Sequence, residues 1–253
     1  DMFGWVRQAN QDFEEFEAGV HTTYPTSGYP IAIPTRQDRK TVVAMGGSTT
    51  GGAYQNDNLR DFYPAKMEEL LGQQWSVLNQ GVGGWTTWHI ERYLSVKKEE
   101  LNPSVITLYV GHNDLLTATP LPYRQLFSAW ESNKGRKQVG QSLQQYRSYN
   151  ALRSILVALR PADTRVAVPV EHAKENLLSI AKNYPGVPLI LASEGLSPDP
   201  GPLASYNEMM EQLAAQSSQF TYLPIAEQLH RYPAAEIYLD DCHLTQLGHR
   251  KVA

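Results

Sequence analysis

Thr41-Val42-Val43-Ala44-Met45-Gly46-Gly47-Ser48-Thr49-Thr50-Gly51-Gly52 is the stretch on which the fold turns. Its first five residues are a short apolar, β-branched run of strand character, which the glycines stop abruptly. Small residues on both sides of Ser48 permit a tight strand-to-helix turn and close approach of another molecule. A helix that starts there aims backbone N–H groups and its positive dipole end at whatever lies over the turn. Two other readings of such a stretch are a phosphate-binding loop and a plain glycine-rich turn. No Gly-Lys-[Ser/Thr] follows to hold a phosphate. The Gly-x-Ser-x-Gly pentapeptide does not fit either, because residue 50 is Thr.

Outward from this stretch, strand-like and helix-like segments alternate. Phe62 to Leu71 reads as a helix, Val77-Leu78 begins a strand ending at Asn79, and Trp85 to Glu100 reads as a helix that Asn102-Pro103 breaks. Val105 to Val110 is a near-continuous apolar run, as for a strand buried on both faces. Val139 to Arg160 carries a long helical pattern. Pro188 to Ala192 reads as a further strand, Leu203 to Gln216 as a helix and Phe220 to Leu223 as a last strand. The alternation predicts right-handed βαβ units: an α/β fold with a parallel sheet covered on both faces. Ligands bind such sheets beyond the carboxyl ends of the strands. Ser48, Gly84 and Asn113 each follow a strand end, so the fold gathers them on one rim. Residues 115 to 138, with Pro120, Pro122 and Trp130, read as an irregular insertion that shapes a pocket.

Three further segments share that rim or complete its chemistry: Asn79-Gln80-Gly81-Val82-Gly83-Gly84, Gly111-His112-Asn113-Asp114 and Asp240-Asp241-Cys242-His243. With Gly46 to Thr50 they supply a serine, three oxyanion donors, a histidine and a carboxylate. That is the inventory for attack on an ester carbonyl. Singly, each has a plainer reading. Gly81 or Gly83 is a turn glycine, and Asn113-Asp114 is a helix cap.

In this order and spacing, the four segments resemble the SGNH (GDSL-like) hydrolase family across roughly residues 41 to 253. The resemblance implies a flavodoxin-like, three-layer α/β/α sandwich with a central parallel sheet. It makes Ser48 the nucleophile, and Ser48 and Gly84, through their N–H groups, with the Asn113 side chain the oxyanion donors. His243 becomes the base and Asp240 its orienting carboxylate, with Asp114 left as a structural cap. Asp241 is the competing carboxylate, but its offset from His243 does not match the family motif. The first motif of the family usually reads Gly-Asp-Ser, and here Gly47 stands where that Asp is expected. The activity implied is that of a serine esterase acting on a small-molecule or glycan-linked ester. Two alternatives are an O-acyltransferase that passes the acyl group to a glycan or other alcohol, and a catalytically silent binding module.

Composition bounds the remaining classes. The 253 residues suit one domain with an N-terminal extension, divided here as 1–40 and 41–253. A net charge of -4 and the lack of a basic stripe argue against a nucleic-acid partner. No apolar run of membrane-spanning length occurs. The histidines lack metal spacing and Cys242 is the only cysteine, so neither a metal nor another cofactor is expected. Cys242 itself reads as a buried small side chain. His112, His89 and Trp85 are candidates for substrate contact, while tryptophans at helical spacing more often belong to a core. Phe13, Phe16 and Val20 suggest a short amphipathic helix ahead of a proline-rich arm that packs on the domain. The chain opens at Asp1, and similar members follow a membrane anchor or signal segment. An extracytoplasmic location is therefore expected.

Overall fold

The computed structural model describes residues 39–51, 62–116, 166–196 and 201–253, together with the backbone of residues 12–15 and 20–23. These last two segments are strands β1 (Asp12–Glu15) and β2 (Val20–Thr23), paired antiparallel with Phe13 opposite Thr22. The helix expected around Phe13, Phe16 and Val20 is therefore corrected to a ribbon. Three apolar positions are a weak helical signal, and the β-branched Val20, Thr22 and Thr23 favour a strand once a partner is available. The insertion at 115 to 138 falls almost wholly outside the described residues, as do Trp130 and the helical pattern from Val139 to Arg160.

The domain alternates as its sequence predicts. Strand β3 (Lys40–Gly46) leads to α1 (Ser48–Gly51), then α2 (Tyr63–Leu71) and β4 (Trp75–Asn79). Helices α3 (Thr87–Val96) and α4 (Lys98–Leu101) precede β5 (Val105–Val110), α5 (His112–Leu115) and α6 (Val170–Asn183). Strand β6 (Leu189–Ser193), α7 (Ala204–Gln216), β7 (Phe220–Leu223), α8 (Ile225–Leu229), α9 (Ala234–Ile237) and α10 (Gln246–Val252) complete it. The five strands pair in parallel in the order β4-β3-β5-β6-β7. From β3, second in this order, the chain moves first to β4 on one side and then to β5 on the other. The crevice where this order reverses opens beyond Gly46, directly over Ser48.

Strand alternation sorts the side chains into two layers. Val43, Met45, Ile106, Leu108 and Leu191 face Ile90, Leu94, Leu177, Ile180 and Met210 on α3, α6 and α7. On the other side, Val42, Ala44 and Val77 pack against Met67 of α2, and Tyr109 and Ala192 against Tyr63, Ile225 and Val252. These are the three layers of an α/β/α sandwich. Helix α6, unmarked in the sequence analysis, fills the crossover from β5 to β6, with Ala173, Leu177 and Ile180 as its buried stripe. Truncating a fully buried residue such as Leu177 to Ala costs about 2–5 kcal/mol. No described helix is long and apolar enough to cross a membrane.

Candidate active site

Backbone proximity builds the site first. The turn after β3 is packed so closely that a Cβ on Gly46 would lie 2.7 Å from the Tyr109 carbonyl oxygen, and one on Gly51 2.7 Å from that of Gly81. Only glycine lets α1 sit against the loop after β4. Asn79 then stitches them: its Nδ2 donates to the Thr50 carbonyl at 2.8 Å and its Oδ1 accepts the Gly81 N–H at 3.0 Å. Gly84, at φ +77°, turns this loop past the serine, and a Cβ on Gly83 would lie 3.8 Å from the Ser48 Cβ.

Asn113 reaches the same place from β5. Its Nδ2 donates to the Trp85 carbonyl oxygen at 2.9 Å and lies against Gly47, where a Cβ would collide with it. The amide thus fills the volume from which a larger side chain at position 47 would grow. Asp114 does cap a helix, though not its own. Its Oδ1 accepts the backbone N–H of Thr87 at 3.0 Å and the Thr87 hydroxyl at 3.2 Å, at the start of α3. Burial lifts the Asp114 carboxyl to about 8 against these two hydrogen bonds.

The fourth segment is a self-contained turn. Leu239 donates to the His243 carbonyl and Thr245 to that of Ile237, both at 2.8 Å, closing a short loop before α10. Thr245 caps that helix through the Gly248 N–H at 3.1 Å. Within the turn, Asp240 Oδ1 accepts the N–H groups of Cys242 and His243 at 2.9 and 2.7 Å. Its Oδ2 lies 2.6 Å from His243 Nδ1, and His243 Nε2 lies 2.7 Å from Ser48 Oγ. An acid–histidine–hydroxyl relay therefore runs unbroken from the turn to the rim. Burial alone would raise the Asp240 carboxyl, but the hydrogen bonds from His243 and Cys242 outweigh it and hold it below the usual range.

The structure also separates the near neighbours. Asp241 is exposed and makes no hydrogen bond to His243, whereas Asp240 makes two. Cys242 is buried, and burial together with the Asp240 and Asp241 charges raises its thiol, which keeps it a poor nucleophile. Its Sγ lies 3.5 Å from His243 Nδ1. Asp240, Cys242 and His243 are the one group among the described residues close enough to share a metal ion. A metal there would displace the Nδ1 proton and break the relay. His112 is half-buried at the site's edge. Burial lowers its ring from the ordinary 6.5, with Asp241 opposing, and among the described residues Nδ1 has no hydrogen-bond partner.

Two expected substrate contacts go elsewhere. Trp85 is 1% exposed, and its ring packs against His89 and Tyr93 in the core; only its carbonyl serves the site. His89 is fully buried in the first turn of α3, where Nδ1 accepts the Thr86 N–H at 3.2 Å, and burial lowers its ring to about 3. Glu194 was not anticipated. It follows β6, is 7% exposed, and its Oε2 accepts the His112 N–H at 2.6 Å. A charged residue at the carboxyl end of an apolar strand is the signal that could have revealed it.

A parallel sheet carrying a serine, a histidine and an aspartate in hydrogen-bonded series at its carboxyl rim defines a hydrolase of the α/β class. The sequence model of the GDSL-like lipase/acylhydrolase family matches residues 44–251, and the chain belongs to that family. No curated protein matches it. Among solved structures it is similar to TesA, with 15% identity, a TM-score of 0.55, and coverage of 84% of this chain and 93% of that one. A lipase/acylhydrolase from Enterococcus faecalis gives 14% identity and a TM-score of 0.55, covering 83% and 89%. A family 3 carbohydrate esterase from Clostridium thermocellum gives 16% and 0.53, covering 85% and 91%. At these identities the likeness establishes the fold.

Proposed function

We propose that the chain is a serine esterase that cleaves a carboxylic ester through an acyl-serine intermediate. The observation that carries this reading is the continuous Ser48–His243–Asp240 relay, with contacts of 2.7 and 2.6 Å. Ser48 Oγ attacks the ester carbonyl as His243 Nε2 takes its proton, and Asp240 holds the imidazole tautomer that makes this possible. The oxyanion forms between the N–H groups of Ser48 and Gly84 and the Asn113 amide, whose other N–H is tied to the Trp85 carbonyl. Each such donor is worth roughly 3 kcal/mol to the transition state. Protonated His243 then gives its proton to the leaving alcohol, breaking the C–O bond. Water, deprotonated by the same ring, releases the acid and restores Ser48.

A serine-directed fluorophosphonate is expected to label Ser48 alone, and Ser48→Ala to lose about 10⁴-fold or more in hydrolysis of a short-chain nitrophenyl ester while melting like wild type. Label on Cys242, or near-wild-type turnover by Ser48→Ala, refutes the reading. Adding glycans or simple alcohols to the same assay separates hydrolysis from acyl transfer, because both pass through one acyl-enzyme.

A further inference from the structure

We propose that Glu194 is a positioning residue for the oxyanion donor Asn113, acting through the backbone N–H of His112; this rests on the esterase reading above. The pairing of Val110 with Ser193 leaves Gly111 and Glu194 side by side just past the last rung between β5 and β6. Gly111 adopts φ +140°, a conformation that side chains resist, and so swings the chain out of β5 into α5. The strand therefore does not dictate the direction of α5; two carboxylates tether it, together with the Val168 and Ala167 N–H groups that donate to the Asp114 and Leu116 carbonyls at 3.0 and 2.9 Å. Glu194 Oε2 takes the His112 N–H at 2.6 Å, and an ionised carboxylate accepts such a bond more strongly than the neutral acid does. Asp114 ties the other side of α5 to Thr87. Asn113 stands between these tethers with its amide over Gly47. Glu194 is itself fixed, since its carbonyl accepts from Asn207 Nδ2 at 3.2 Å. It touches neither Ser48 nor His243.

The groups that sense its charge sit on every neighbouring element. Tyr109 lies on β5, Tyr63 on α2, Tyr238 after α9 and Cys242 in the 240–243 turn, all raised by burial and neutral at neutral pH. On α5 the Asp114 carboxyl and the His112 ring also titrate. Burial raises Glu194 to about 7, opposed by the His112 hydrogen bond. Glu194 thus changes charge within the working range, and its grip on α5 tightens as pH rises.

Glu194→Gln keeps the shape and one acceptor oxygen but never ionises. The wild-type to variant ratio of kcat on a nitrophenyl ester is expected to be about ten at pH 9 and to fall towards one below pH 6, with KM little changed. The His112 ring titrates in both proteins and cancels in the ratio, whereas Asp114, which the Glu194 charge raises, titrates lower in the variant. A ratio of one throughout, or one independent of pH as a merely structural residue gives, overturns the proposal. The second measurement needs no turnover. The Asn113 side-chain amide resonances are expected to show a step near pH 7 in wild type that is lost in Glu194→Gln, where only the steps that follow Asp114 and the His112 ring remain. Resonances that lack this step in wild type overturn the proposal even if the variant fails to fold. Absence of ester turnover by wild type refutes the esterase reading alone, and the resonances then decide the role of Glu194.

Discussion

The rim of the sheet and the turn at Asp240–His243 meet where Ser48 Oγ lies 2.7 Å from His243 Nε2, and they are built in opposite ways. Ser48, Gly84 and Asn113 hang from the ends of three strands, and partners distant in sequence hold them. Asn79 stitches Thr50, Asp114 holds Thr87, and Glu194 holds His112. The carboxylates that do this are buried, and desolvation pushes both up. The turn needs no such help. Asp240 bonds two backbone amides and a ring within three residues and keeps a half-exposed side chain whose carboxyl is held down. Thr49 Oγ1, 3.4 Å from the Cys242 carbonyl, is the other hydrogen bond from the serine helix to the turn. One half of the site is positioned by the whole fold at the cost of desolvating charge. The other is positioned locally and keeps its charge in contact with water.

The largest expected effect tests the local half. Asp240→Asn keeps an oxygen for the two backbone amides but offers an amide to the ring, favouring the wrong tautomer. It is expected to lower kcat on the order of 10⁴-fold, by analogy with the serine-protease triad. Asp241→Asn, with no bond to the ring, is expected to change kcat only a few-fold. The order of the two variants, both shown folded by circular dichroism, is the measured quantity. An Asp241 variant the more impaired of the two would reassign the orienting carboxylate.

The rim is tested by crowding it. Asn113→Ala removes the amide proposed as an oxyanion donor and is expected to cost about 10²–10³-fold in kcat. Gly47→Ala places a methyl group where the Asn113 amide now lies and is expected to cost a comparable factor by displacing that amide. Because both changes act on one donor, the double variant is expected to be little worse than either alone. Additive losses would mean that Gly47 acts on the serine turn and not on Asn113.

The same contrast explains what was legible in the sequence. The five strands announced themselves as apolar runs, and three of the motif segments stood beyond their carboxyl ends because the parallel topology requires it. The local turn was readable through the family resemblance that the Asp240–His243 segment carries. The cross-links of the rim were not. Asp114 was recognisable as a cap, but which helix it caps depends on how β5 brings α5 against α3. Glu194 gains its role only from the β5–β6 register, which no local pattern encodes. Trp85 and His89 were placed near the substrate by proximity to a motif, yet at the start of α3 both rings turn into the core. Helix α6 went unmarked although its stripe of Ala173, Leu177 and Ile180 has a regular helical period. The ribbon of β1 and β2 was not, because three apolar positions with Glu between them fit a helix period and a strand pair is settled by its partner.

The smallest expected effect concerns the stability that the rim gives up. Asp114 binds a proton in the folded chain up to about pH 8, whereas in the unfolded chain it ionises near pH 4. Between those values the folded state holds more protons than the unfolded one, so stability falls as pH rises through the window and levels off above it. Glu194 acts in the same direction over a lower window, ending at about 7. Asp114→Asn keeps an oxygen for the Thr87 N–H and hydroxyl but cannot ionise. Near pH 4 it is expected to melt close to wild type, which there carries a neutral carboxylic acid. By pH 9 it is expected to melt several degrees higher, because burying the charge costs on the order of a few kcal/mol and each kcal/mol moves the melting temperature of a domain this size by about 2–4 °C. Melting temperatures that run parallel across this range would mean that Asp114 is ionised throughout. The carboxylate would then be satisfied by the Thr87 tether alone, and the contrast between a proton-holding Asp114 in the rim and a charged Asp240 in the turn would fail.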